Sequence, residues 1–207
     1  MFKLSEKKYI PLSKVEVQSY IDNKFSTRHI HLNCESNEKC FVVAFKTLPS
    51  DSSGVAHILE HTVLCGSKKY PVRDPFFMMT RRSLSTFMNA FTASDFTAYP
   101  FSTLNNKDFS NLLSVYLDAT FFPNLNELDF MQEGHRFDFE KSKNGSDSLV
   151  LKGIVYNEMK GAMSSISSQV DQGINENLFT NNHTYGFNSG GEPDEMPSLT
   201  YKGLVDF

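Results

Sequence analysis

Apolar positions along the chain predict both strands and helices. Residues 28–32 and 40–48 are rich in β-branched and aromatic side chains and flank a polar stretch, which predicts a pair of strands. Residues 87–93 and 96–101 alternate with period two around Ser94-Asp95 and predict a hairpin. These segments supply the strands of a sheet.

Helical spacing of apolar residues predicts the elements between and after these strands. A helix is expected over residues 53–65, because the segment starts with Ser and ends before Gly66. Further helices are predicted over residues 106–121, 127–139 and 151–170, the last after a strand end, and from about Ser198. Residues 68–75 and those from Asn181 onward are predicted loops, and residues 144–148 a polar turn.

The order of these elements indicates an α+β fold, an antiparallel-rich sheet with helices packed on one face. Residues 1–27 are expected to form an amino-terminal lead-in, and residues 28–207 a single domain. The last predicted helix is interrupted at Phe207, so the domain is expected to be truncated at its carboxyl-terminal end.

Composition narrows the class of protein. The chain has 207 residues, 40% of them hydrophobic and 21% charged, as in an ordinary globular protein. A net charge of -4 argues against a nucleic-acid partner, and no apolar run reaches the roughly 20 residues that cross a bilayer. We therefore expect neither nucleic acid nor membrane as a partner.

The segment with the clearest chemistry is His57-Ile58-Leu59-Glu60-His61. Its neighbours are almost all apolar, so the helix is predicted to be buried, where ionisable groups need a partner or a metal. His57 and His61 lie one helical turn apart and can bind a single ion, with Glu60 beside them as general base for a zinc-activated water. The alternative is a buried helix whose histidines bond to backbone groups.

A zinc site of this kind needs a third ligand from elsewhere in the chain. Val155, Met159, Ala162 and Ile166 form a predicted apolar stripe, and Glu158 lies next to it. Spacing favours Glu158 as the ligand, with Glu133 as a rival; Glu158 could equally be a partly exposed helix residue.

Other histidines and the cysteines carry less weight. His29 and His31 share a face of a predicted strand and could bind metal, but a surface strand is the better interpretation. Cys34, Cys40 and Cys65 have no metal-ligand spacing and are expected to be reduced thiols, with Cys65 a small core residue. A redox or metal-binding protein based on these cysteines is the rival from another class.

Four stretches of the chain resemble the presequence protease branch of the pitrilysin-type metallopeptidases, in its animal form. They are residues 57–70 (HILEHTVLCGSKKY), 84–99 (LSTFMNAFTASDFTAY), 113–123 (LSVYLDATFFP) and 153–161 (GIVYNEMKG). The resemblance runs from about Arg28 to Asp206 and corresponds to most of the first of four domains in that family.

The resemblance implies one Zn²⁺ per chain, held by His57, His61 and Glu158, with Glu60 as the catalytic base. It implies that residues 87–93, with Asn89 and Ala90 at their centre, bind an extended peptide by strand addition. It also implies that the chain degrades short unstructured peptides such as cleaved presequences in the mitochondrial matrix, although no transit peptide is visible.

Two further consequences concern the rest of the enzyme. Family members supply an Arg and a Tyr from a second half that has no counterpart in these 207 residues. The expected partners are therefore peptide substrates and that missing carboxyl-terminal half, without which the chain could be inactive. The alternative function is a non-catalytic peptide-binding or scaffold member, or an inactive fragment, of the same fold.

Overall fold

The computed structural model describes residues 1–141, 147–179 and 183–207 and divides into two compact units. The first unit is Met1–Lys39 and the second is Cys40–Phe207. The predicted boundary between residues 27 and 28 falls inside the first unit; as a statement about domains it stays a prediction.

The first unit is a three-stranded antiparallel sheet. Its strands are β1 (Phe2–Ile10), β2 (Val15–Asp22) and β3 (Arg28–Asn33), in the order β1-β2-β3. The carboxylate of Asp22 accepts hydrogen bonds from the backbone N–H groups of Lys24 and Phe25, which closes a tight turn between β2 and β3. The predicted lead-in, residues 1–27, therefore contains β1 and β2, two of the three strands of this sheet.

The second unit contains a four-stranded sheet. Its strands are β4 (Lys39–Lys46), β5 (Ser85–Met88), β6 (Phe91–Thr92) and β7 (Phe96–Thr103), in the order β4-β7-β5, and β6 also pairs with β7. The predicted hairpin is present, interrupted at Asn89 and Ala90. The predicted pairing of residues 28–32 with 40–48 is wrong, because β3 pairs with β2 and β4 pairs with β7.

Helices and one further hairpin complete the second unit. They are α1 (Val55–Val63), α2 (Pro75–Arg82), α3 (Asn106–Phe121), α4 (Glu127–Glu133), β8 (Arg136–Lys141), β9 (Asp147–Lys152), α5 (Ile154–Ala162), α6 (Ile166–Leu178) and α7 (Tyr201–Asp206). The bounds of α3 equal the predicted ones, and the Asn105 side chain caps its first turn. The fold class, a mixed structure of antiparallel sheet and helices, is confirmed.

Two predicted helices differ from the structure. The helix expected over residues 127–139 ends at Glu133, because Gly134 stops it and the following residues alternate along β8. The helix expected over residues 151–170 is broken between α5 and α6, where the Ser164 hydroxyl donates to the Gly161 carbonyl at 2.6 Å. Helix α2 was not predicted, and most of the predicted 144–148 turn, together with Asn181, lies outside the described residues.

Helix α1 lies between two apolar clusters of the second unit. On one side Val63 and Leu64 pack with residues of α2, β7 and α3, including Phe101 and Tyr116. On the other side Val55 and Ile58 pack with residues of α4, α5 and α7. Burial on two sides fixes the helix that carries the predicted motif, so its ionisable side chains are held by packing. No described helix has the length and apolar character that a membrane span requires.

The three cysteines differ in exposure, which gives a first testable expectation. Cys34 and Cys40 are exposed, whereas Cys65 is buried, and burial raises the pKa of its thiol far above the usual value. Because the thiolate is the reactive form, iodoacetamide should modify Cys34 and Cys40 in the native chain and spare Cys65. Peptide mapping by mass spectrometry measures this, with the denatured chain, modified at all three, as control. Rapid labelling of native Cys65 would contradict the packing of α1.

Candidate metal centre

Helix α1 begins at a point where two chain segments touch. Gly54 has a φ of 76° and Gly191 a φ of 104°, conformations that favour glycine. A Cβ at Gly54 would meet the carbonyl oxygen of Gly190 at 2.9 Å. The Ser52 carbonyl accepts a hydrogen bond from Glu192 N–H at 2.7 Å. This contact brings the Gly190 region next to the first turn of α1.

The two motif histidines and Glu158 converge on one point. The ring centroids of His57 and His61 are 5.1 Å apart. Oε2 of Glu158, on α5, lies 3.9 Å from His57 Nε2 and 3.8 Å from His61 Nε2. One donor atom from each of the three residues lies within 4.8 Å of the other two.

These donors fit a zinc ion in both chemistry and spacing. Imidazole nitrogen and carboxylate oxygen are the donors of catalytic zinc sites, which keep one position open. Zinc–ligand bonds of about 2.1 Å in a tetrahedral arrangement separate the donor atoms by about 3.4 Å. The observed separations from Glu158 of 3.9 and 3.8 Å are close to this value. Small rotations of a half-exposed Glu158 side chain suffice to close the difference.

The other nitrogen of each imidazole ring has its own acceptor. His57 Nδ1 lies 3.0 Å from the Gly190 carbonyl oxygen, and His61 Nδ1 lies 3.2 Å from Glu133 Oε2. With Nδ1 donating its proton in both rings, both Nε2 atoms keep a free lone pair toward Glu158. Glu133, the rival ligand, is buried and contacts His61 from this opposite side.

Carboxylates around His61 also determine its protonation. Burial acts to lower the pKa of His61, but the hydrogen bond to Glu133 and the charges of Glu60, Glu133 and Glu158 outweigh it and leave that pKa raised. An excess of negative charge thus surrounds the imidazole pair. A divalent cation would complement this charge.

Glu60 is buried beside the histidines, with 6% of its surface exposed. Burial raises its pKa, and the hydrogen bond from Thr92 and the imidazoles of His57 and His61 partly oppose this. The Thr92 hydroxyl donates to Glu60 Oε2 at 2.6 Å. A carboxylate with a raised pKa next to a metal site is suited to accept and release a proton.

A cleft of about 500 Å³ opens over these groups and also contains Asn89 and Ala90. Both residues lie between β5 and β6, where Asn89 N–H donates to the Pro100 carbonyl at 3.1 Å. The structure therefore brings all six sequence-predicted site residues to one cleft. The other residues that line the cleft are mainly apolar and include Leu64, Phe76, Phe77, Phe91 and Met159.

Two neighbours of the site were missed at the sequence level, Thr92 and Gly190. Neither residue stands near the motif in the chain, and a single Thr or Gly carries no ligand signature. The remaining histidines and cysteines are not among the residues of the donor group. His135 Nε2, for example, donates to the Leu199 carbonyl at 2.9 Å.

The sequence around these residues matches a known protein family. Residues 48–165 match the family described as Insulinase (Peptidase family M16). The chain belongs to this family. The matched M16 segment runs from before α1 to after α5 and so contains His57, Glu60, His61 and Glu158 together.

Three relatives of this M16 chain share a name. It is 57% identical over 180 residues to "Presequence protease, mitochondrial" of Xenopus laevis, covering 87% of this chain and 17% of that protein. Identity to the protein of the same name from Mus musculus is also 57% over 180 residues, with the same coverage. The Schizosaccharomyces pombe protein of that name is 47% identical over 206 residues, covering 100% of this chain and 21% of the relative.

The fold likeness extends to a solved structure. The structure titled "Crystal Structure of pitrilysin" aligns with a TM-score of 0.70 at 18% identity, over 99% of this chain and 21% of that one. The family match and the relatives confirm the predicted resemblance to pitrilysin-type peptidases, and the solved structure agrees with it in fold. The M16 chain spans about a fifth of the length of the proteins it matches.

Proposed function

We propose that this chain is the zinc-binding domain of a metallo-endopeptidase that degrades short unstructured peptides. The observation that carries the proposal is the convergence of His57 Nε2 and His61 Nε2 on one oxygen of Glu158, at 3.9 and 3.8 Å, beside the buried carboxylate of Glu60. Membership of a peptidase family supports the same reaction class.

In this proposal His57, His61 and Glu158 hold one Zn²⁺. Bound zinc supplies a Lewis acid that polarises a carbonyl and acidifies a water molecule. Glu60 accepts the proton of the attacking water on its carboxylate and passes it to the amine that leaves when the peptide bond breaks. Glu133 and the Gly190 carbonyl keep both Nε2 atoms turned toward the cleft.

The sheet next to the cleft suits an extended peptide. In the described part of the chain, β5 ends the order β4-β7-β5 and has a strand neighbour on one side. We propose that a substrate strand adds near Asn89 and Ala90, because main-chain hydrogen bonds hold a peptide with little regard to its sequence. The apolar walls of the cleft would then contact its side chains.

Substrate and location follow from the relatives. The name that these relatives share supports presequences as substrates and the mitochondrion as the location. We propose the mitochondrial matrix as the compartment. Since the chain spans about a fifth of their length, we further propose that residues from the rest of a longer enzyme complete substrate binding.

The metal site can be tested directly. Elemental analysis of the purified chain should give about one zinc per chain, and Glu158→Gln or His61→Ala should weaken zinc binding at least about a hundredfold, because each removes one of three protein ligands. Competition with a chromophoric chelator measures the affinity. Peptide cleavage is then followed with a quenched fluorescent presequence, with and without a carboxyl-terminal half.

Matched controls separate the site from general effects. Glu176→Gln changes an exposed glutamate on α6, and His29→Ala changes an exposed strand histidine; both should leave zinc binding unchanged. Alkylation of Cys34 and Cys40 should also leave zinc in place, which would exclude the cysteine-based rival. A well-folded chain that binds no added zinc would refute the metallopeptidase proposal. A zinc-loaded chain that cleaves nothing, even with the second half, would favour the non-catalytic alternative.

A further inference from the structure

Three threonine hydroxyls form a hydrogen-bonded chain that ends at Glu60. Thr92 Oγ1 donates to Glu60 Oε2 at 2.6 Å, and Thr92 Oγ1 lies 3.3 Å from Thr97 Oγ1. Thr97 Oγ1 in turn lies 2.9 Å from Thr47 Oγ1. Thr92 lies on β6, Thr97 lies on β7 and Thr47 directly follows β4, so neighbouring strands of one sheet hold the row.

The direction of this chain follows from proton counting. A hydroxyl has one proton to donate, and Thr92 gives its proton to Glu60. Toward Thr97 it can therefore only accept, so Thr97 donates to Thr92 and accepts from Thr47. All three O–H dipoles point toward the carboxylate, and such chains polarise one another. Thr97 is 2% exposed, which shields the middle of the row from water.

Only one of the two carboxylate oxygens is engaged in this way. Within the described residues, Glu60 Oε1 receives no hydrogen bond from the protein, whereas Oε2 receives the short bond from Thr92. A carboxylate held at one oxygen cannot rotate freely about its last torsion. Its second oxygen is thereby restrained as well, in the cleft that Glu60 shares with His57 and His61.

We propose that Thr92 is a positioning residue for Glu60, supported by Thr97 and Thr47. This inference rests on the proposed function. In it, Oε2 of Glu60 anchors the carboxylate and Oε1 takes part in proton transfer. The hydrogen bonds that the structure describes for Thr92 go to Glu60 and Thr97 and to none of the proposed metal ligands, so its removal should disturb the orientation of the base and leave metal binding intact. Displacement of a catalytic group by about 1 Å can slow a reaction about a hundredfold.

A stability cycle tests the contact without any catalysis. In the metal-free 207-residue chain, Thr92→Val should lower Tm by about 5 °C, because a buried carboxylate loses its donor. In a Glu60→Leu background the same change should leave Tm unchanged or raise it. Thr97→Val should show the same dependence on Glu60 with a smaller fall. Thr120→Val is the matched control, since the Thr120 hydroxyl donates to the Tyr116 carbonyl at 2.8 Å and should lower Tm equally in both backgrounds.

A kinetic series tests the positioning role. With zinc bound, Thr92→Val should lower kcat about tenfold to a hundredfold at unchanged KM and zinc affinity, and Thr92→Ser should restore kcat. An equal loss of Tm with and without Glu60 would overturn the inference, as would failure of Thr92→Ser to restore kcat. If no variant cleaves peptide, the proposed function fails for this chain, while the stability cycle still decides whether Thr92 anchors Glu60.

Discussion

Replacing Glu60 by glutamine is expected to lower kcat for peptide hydrolysis by about a hundredfold to ten-thousandfold, the range of general acid–base catalysis. Glutamine has nearly the same shape and still offers an oxygen to the Thr92 hydroxyl, but it cannot take up the proton of the attacking water. Zinc content should remain at the value of the unchanged chain, because Glu60 is not among the three converging donors. Steady-state cleavage of a fluorescent peptide and elemental analysis on one sample measure both quantities.

The control for this variant is Glu176→Gln, the same chemical change at an exposed site on α6. It should leave both kcat and zinc content unchanged. Retention of most of the activity in Glu60→Gln would show that another group acts as the base. Loss of zinc together with activity would instead assign Glu60 to metal binding and contradict its proposed role.

Gly153→Ala is expected to cause the largest loss of stability of any conservative substitution proposed for this chain. A Cβ at Gly153 would lie 1.9 Å from the carbonyl oxygen of Gly134, a contact between two backbones that no side-chain rotation can relieve. Overpacking of this kind costs about 3 kcal/mol or more, which corresponds to a fall in Tm of about 6 to 12 °C. Because Gly153 directly precedes α5, the shift also displaces Glu158, so zinc affinity should fall with stability.

Gly161→Ala is the matched control on the same helix. No atom lies within 4 Å of a Cβ built at Gly161, so alanine fits there. Alanine within a helix stabilises by about 0.5 to 1 kcal/mol relative to glycine, so Tm should rise slightly. Calorimetry of both variants, with and without zinc, gives the comparison. Equal Tm values for the two variants would contradict the close backbone contact at Gly153.

Local sequence patterns were sufficient to predict elements that have a clear cap and regular apolar spacing. Helix α3 has both an Asn cap and regular apolar spacing, and it was predicted with its bounds. Helix α4 and strand β8 were merged into one predicted helix, although Phe137 and Phe139 stand two residues apart, as along a strand. The separation depends on Gly134, where a Cβ would meet the side chain of Ile58 on α1 at 2.9 Å. Such a tertiary contact leaves no mark in the local sequence.

The residues of the candidate site also fall into two groups, those that local spacing could place and those that only tertiary packing places. His57, Glu60 and His61 share one helix, so their spacing alone fixes their common location. For Glu158 the apolar stripe was only half correct, because Val155 is buried but Ile166 is 79% exposed on the next helix. Thr92 and Gly190 meet α1 through packing across 32 and 133 residues, a distance at which no periodicity could place them.

The long span between His57 and Gly190 also bears on biosynthesis. His57 Nδ1 donates to a carbonyl that stands 133 residues later in the chain. At about 5 to 20 residues per second, a ribosome takes about 7 to 27 seconds to travel between them. During that interval the emerging helix has both imidazoles but lacks the acceptor that orients the first of them. The contact that orients His57 can therefore form only after Gly190 has been translated, so the imidazole pair is synthesised well before its geometry is complete.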